Sequence, residues 1–203
     1  MRTFDQRRER LNTLRREVKL LALDAALPDV PLITLMTVYD QSPTADQVAM
    51  VKAEMRKLPA KLLRRLVEEG VRIELVGGEN ASAHPDFRGQ PSAAGWCLGP
   101  RVIIAAGRVG RVEENVVLHE LAHCVDYILD YPSDGAEWKW IFEIHGSESM
   151  KPCQPAESWY ERRSAGEFFA GQFSAYFSSD FTLGLLHWRP RQFVERVVNN
   201  AIA

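Results

Sequence analysis

The stretch VEENVVLHELAHCVDYILD, residues 112–130, decides the reading of this chain. Val112, Val116, Ala122, Val125 and Leu129 recur at helical spacing, which predicts a helix over about 112–130. Glu113 and Glu114 fall in its expected first turn, where the helix dipole favours acids. His119 and His123 stand on one face about a turn apart, so both imidazoles can reach a single metal ion. Glu120 is rotated by about a quarter turn and can reach a water on that metal without ligating it. Cys124 faces away from the metal side and reads as core.

A metal site that does chemistry needs a third protein ligand and an open position for water. The metzincin continuation wants Gly at 126 and His at 129; Asp126 and Leu129 exclude it. Any downstream acid or histidine from Asp130 to His187 can serve instead. Glu167 stands out because it opens the apolar run EFFAGQFSAYF, where a buried carboxylate needs a partner. The competing reading is local: Ser164-Ala165-Gly166-Glu167 also matches a helix capping box, with Glu167 merely closing the first turn. His84, His145 and His187 read as surface or satisfied histidines, with His145 the spare ligand.

Working outward, Leu11, Leu14, Val18, Leu21 and Ala25 predict an amphipathic helix over about 4–26, its arginines solvated. Leu32–Tyr39 and Val71–Val76 read as strands, with a helix over about 45–69 between them that Pro59 kinks or breaks. Residues 77–95 form a long loop, followed by short strands over 95–98 and 101–106. Helices are expected over 136–144, over 156–179 with Gly166 as a point of interruption, and from about 189 onward. Helix and strand come first and helices alone follow, which argues α+β. The chain reads as one domain, 1–203. An N-terminal helix (1–30) precedes a sheet-containing part (31–130) ending in the histidine helix, and a helical part (131–203) follows.

The 203 residues suffice for one substantial core. With 25 Lys and Arg against 27 Asp and Glu, the net charge of -2 speaks against nucleic acid as the main partner. No apolar run is long enough for a membrane span. Cys97, Cys124 and Cys153 have no paired spacing and read as reduced thiols, with one disulfide plus a free thiol as the alternative. The best apolar stretch near the start, 18–27, contains Lys19 and Asp24, so no signal peptide is expected. A cytoplasmic location follows, or an excised domain or another export route.

His119-Glu-Leu-Ala-His123, with Glu167-Phe-Phe-Ala further on, resembles the anthrax lethal factor-like metallopeptidases, whose small stand-alone members are the Pro-Pro endopeptidases. The likeness covers about 45–200, including Leu58-Pro59 and the hairpin ahead of the histidines. It implies a zincin-like fold and a gluzincin-type zinc site. His119, His123 and Glu167 would ligate one Zn2+, with Glu120 as general base and Tyr160 stabilising the oxyanion. The chain departs from the pattern at Gly171, where an acid usually supports a ligating histidine; Asp126 and Ser174 are the candidates to replace it.

The resemblance implies a metalloendopeptidase acting on a protein or peptide bound in extended form. Strand 101–106 is the expected edge for that substrate, and Trp96 either shapes a pocket or packs. Two alternatives remain: an inactive peptidase-like binding domain, against which Glu120 speaks, and an ImmA/IrrE-like regulatory peptidase, whose helix-turn-helix region is not found here. Peptide hydrolysis separates the first from an enzyme, and cleavage of a bound repressor identifies the second.

Overall fold

Pro59 and Gly70 punctuate the first half of the chain. The computed structural model describes residues 33–36, 42–87, 92–110, 115–146, 164–178 and 188–203. The expected helix over 4–26, and Glu113, Tyr160, Cys153 and His187, lie outside the described residues. After strand β1 (Ile33–Met36), Thr44 caps helix α1 (Ala45–Met55). Its hydroxyl accepts from Gln47 N at 3.2 Å, and the Gln47 side chain accepts from Thr44 N at 2.8 Å. The helix expected over 45–69 is broken at Pro59 rather than kinked. Pro59 lacks an N–H and sits at the N-cap of α2 (Ala60–Glu68), where no donor is needed. Gly70, at φ +76°, ends α2 and turns the chain into β2 (Arg72–Val76).

β3 (Gly95–Leu98) and β4 (Arg101–Ala105) complete a four-stranded mixed sheet in the order β1-β2-β4-β3. β1 with β2 and β2 with β4 are parallel, whereas β3 runs antiparallel to β4. Gly99, at φ +56°, and Pro100 form the two-residue hairpin turn between β3 and β4. β4 is therefore an interior strand, which corrects the expectation that 101–106 forms an edge. Among the described residues, the free edge on that side of the sheet is β3.

Alternation along the strands divides the two faces. Ile73, Leu75, Val102 and Ile104 pack with Leu118, Leu121 and Val125 of α3 (Val116–Ile128). Val76, Ile103 and Ala105 face the other way and are covered by Ala81 and Phe87, from the segment expected to be a plain loop. Trp96 belongs to that back face: its Nε1 donates to Ser82 Oγ at 3.1 Å and its ring stacks on Phe87 at 5.1 Å. It packs against Ser82 and Phe87. His84 is satisfied rather than superficial, with Nε2 3.0 Å from Glu74 and Nδ1 accepting from Asp86 N. Arg101 grips Glu74 with two bonds of 3.0 Å, and this contact first, with His84 also helping, holds the Glu74 carboxyl below its ordinary range.

The C-terminal part is helical: α4 (Ala136–His145), α5 (Ala165–Phe177) and α6 (Trp188–Ala201). Trp138 of α4 is fully buried, stacked on Phe168 and edge-on to Phe169 of α5, with Phe193 of α6 at 4.7 Å. Each such buried aromatic contributes about 1.5–3 kcal/mol relative to exposure. The cluster holds α5 against α4 and α6.

Candidate metal centre

Asn115 is the N-cap of α3, whose first helical residue is Val116 rather than one near 112. Its side-chain oxygen accepts from Leu118 N at 3.2 Å, a role for which asparagine is among the best residues. The Asn115 Nδ2 donates to Glu54 of α1, and its carbonyl accepts from Ser174 Oγ of α5 at 3.4 Å. At the other end, Asp130 and Tyr131 both adopt positive φ, and Tyr131 N donates to Asp126 O at 2.8 Å. The Asp126 carboxylate accepts from Ser133 N at 2.8 Å and Ser133 Oγ at 2.6 Å. Burial raises the Asp126 carboxyl, against the lowering effect of those two bonds. Ser174 and Asp126, expected to support a ligating histidine, are thus engaged in anchoring the two ends of α3.

His119 and His123 lie one turn apart with ring centroids 5.1 Å from each other. Glu167 meets both from α5: its carboxylate oxygens are 3.0 Å from His119 Nε2 and 3.6 Å from His123 Nε2. Ser164 caps α5 by accepting from Glu167 N at 3.1 Å, but only that half of the capping box forms. The Glu167 carboxylate turns to the histidines instead. The Trp138 indole donates to Ala165 O at 2.7 Å and fixes the turn from which Glu167 projects. Phe168, Phe169 and Phe173 point away from Glu167 into the aromatic core, so its partner requirement comes from the α3–α5 interface rather than from those rings.

One ligand atom from each of His119, His123 and Glu167 lies within 4.8 Å of the others. Donor atoms of a tetrahedral zinc site stand about 3.3 Å apart, given bonds of about 2.0–2.1 Å. The 3.0 and 3.6 Å approaches use the two different oxygens of Glu167, and one donor atom from each residue falls within 4.8 Å of the others, so the chemistry of the donor set fits a metal ion after a small inward shift. His145 lies on α4, outside this grouping.

Burial raises the Glu167 carboxyl, but hydrogen bonds from His119 and His123 outweigh it and bring it from an ordinary 4.5 to about 2. A carboxyl lowered on folding stabilises the fold above its unfolded pKa, and that contribution disappears as pH falls through the folded one. The Tm difference between metal-free wild type and Glu167→Gln is expected to be full above pH 4.5 and to shrink as pH falls toward 2. Calorimetry across that range checks it, and a difference that does not vary with pH would contradict it.

Glu120 is buried against β3, where the structure reveals a residue that local spacing could not single out. A Cβ on Gly95 would stand 2.5 Å from Glu120 Oε1 and 2.6 Å from its Cγ. Only glycine lets the edge strand lie this close to the carboxylate. Ala105 N donates to Ala94 O at 2.9 Å, so ladder alternation directs the N–H and C=O of Gly95 and Cys97 away from β4.

No protein-family model matches the chain, and no curated protein matches its sequence. Among solved structures, it is similar to the Pro-Pro endopeptidase PPEP-2 from Paenibacillus alvei. The TM-score is 0.62 at 22% identity, over 83% of this chain and 97% of that one. The chain has the α+β, zincin-like fold of that endopeptidase.

Proposed function

We propose that the protein is a zinc-dependent endopeptidase of the lethal factor-like kind, hydrolysing a peptide bound in extended form along β3. The observation that carries this is the meeting of His119, His123 and Glu167 beside an edge strand that touches Glu120. A donor set of two imidazoles and one carboxylate suits Zn2+ and is the composition of sites that hydrolyse peptides. When bound, the ion supplies Lewis acidity, making water nucleophilic near neutral pH and polarising the scissile carbonyl.

The residues of the chain do the rest. Glu120 takes a proton from the attacking water and returns it to the leaving amine nitrogen. Tyr160, by the resemblance, donates its hydroxyl proton in a hydrogen bond to the oxygen that gains charge. The outward N–H and C=O groups of Gly95 and Cys97 pair with the substrate backbone, aligning the scissile bond over the histidines. The Pro-Pro bond named for the structural neighbour belongs in the first peptide set to be tried.

The test is hydrolysis of a peptide library containing Pro-Pro pairs. Cleavage is expected to stop on chelation and return with Zn2+, whereas cleavage that survives a strong chelator would sink the proposal. Gly95→Ala sharpens it. The added Cβ meets Glu120 from Cγ to Oε1, so the whole buried side chain must shift; Tm is expected to fall and turnover per folded molecule to fall further with the displaced Glu120. Undiminished turnover in that variant would remove Glu120 from the chemistry.

A further inference from the structure

Cys97 on β3 and Cys124 on α3 are 27 residues apart in sequence, yet their sulfurs lie 3.6 Å from each other. Both thiols also converge on one acceptor, the Gly99 carbonyl of the hairpin turn, at 3.4 and 3.5 Å. Cys97 is half-buried, at the edge of the sheet, while Cys124 is fully buried behind it. Neither sulfur belongs to the histidine and Glu167 grouping. We propose that Cys97 and Cys124 are a modification site: a dithiol that a peroxide closes reversibly into a disulfide, fastening the edge strand to the helix that carries His119, Glu120 and His123.

The arrangement supplies what that chemistry requires. Cys97, the less buried of the two residues, meets the oxidant first. One peroxide oxygen passes to Cys97 Sγ, the O–O bond breaks and water leaves, giving a sulfenic acid. Cys124 Sγ then attacks the Cys97 sulfur, the S–O bond breaks, and the oxygen leaves as a second water. Two thiols and one peroxide thus give one disulfide and two waters. Bonding at about 2.05 Å requires the sulfurs to close about 1.5 Å. Cys97 can supply that movement by side-chain rotation on a strand with a neighbour on one side only. A dithiol reductant reverses the step by exchange. The closed loop contains the hairpin turn, β4, His119, Glu120 and His123, so the cross-link fixes the distance between β3 and the base it touches.

The experiment treats the full chain with hydrogen peroxide, alkylates remaining thiols under denaturing conditions, and maps the peptides by mass. Expected are a 97–124 cross-linked pair, loss of both alkylation sites, recovery of both with dithiothreitol, and no such pair in Cys97→Ser. Three results would overturn it. These are Cys97 held as a sulfenic acid trapped by a carbon nucleophile while Cys124 still alkylates, a cross-link through Cys153, and full alkylation of both thiols after peroxide. The readout uses neither metal nor substrate, so it stands apart from the peptidase proposal.

Discussion

Glu120→Gln is expected to cut peptide turnover by about 10²–10⁴-fold, the range that one general base contributes, while zinc content stays at the wild-type level. The substitution keeps the shape of the side chain and its fit against Gly95, where only 2.5 Å separates the carboxylate from the place of an added Cβ. What it removes is the capacity to accept a proton from water and hand it to the departing nitrogen. Because Glu120 is not among the three grouped donors, the metal should remain. Turnover and metal analysis on one preparation check both halves. Loss of metal together with activity would show that Glu120 acts as a ligand or a structural prop, and unchanged turnover would place the base elsewhere.

Glu167→Ala should do the opposite, emptying the site. A direct ligand contributes more than a supporting partner, whose loss costs about 10–100-fold in affinity, so the weakening is expected to exceed about 100-fold. Zinc per chain by plasma mass spectrometry should be near one in wild type and fall sharply in the variant. The fold should survive, because α5 is held by Trp138, Phe168 and Phe169 and by the Ser164 cap, none of which uses the carboxylate. Zinc retained undiminished would take Glu167 out of the ligand set.

The elements around this site differ in how far the sequence announces them. His119, His123 and the break at Pro59 are legible because their causes are local: one helical turn in the first case, a missing N–H in the second. The start of α3 is less so. Periodicity extends back to Val112, but the cap depends on Asn115, whose side chain both closes the first turn and reaches Glu54 on another helix. The apolar run 101–106 is expected as the substrate edge, yet nothing in its spacing says which strands pair on either side of it. Strands buried on both faces are the apolar ones, and so it proves to be interior. Gly95 against Glu120, Ser133 on Asp126 and Cys97 beside Cys124 are pairings across the fold. No spacing rule reaches them. Glu74, an acid inside the otherwise apolar run from Ile73 to Val76, hints that the back face carries a polar network.

The anchoring of α3 bears on how folding and metal loading relate. Its first residue is tied to α1 and α5 through Asn115, and its last turn is tied to the following segment through Asp126 and Ser133. Small zinc modules fold only as the ion arrives, because nothing else brings their donors together. Here the two imidazoles ride on a strut fastened at both ends, and the third donor rides on a helix packed by aromatic rings. The separation of the donors is set by the polypeptide, and little chain entropy is left for the ion to overcome. Loading and unloading of an ion held by these donors would thereby be uncoupled from assembly of the fold, the ion a passenger on a frame that keeps its shape.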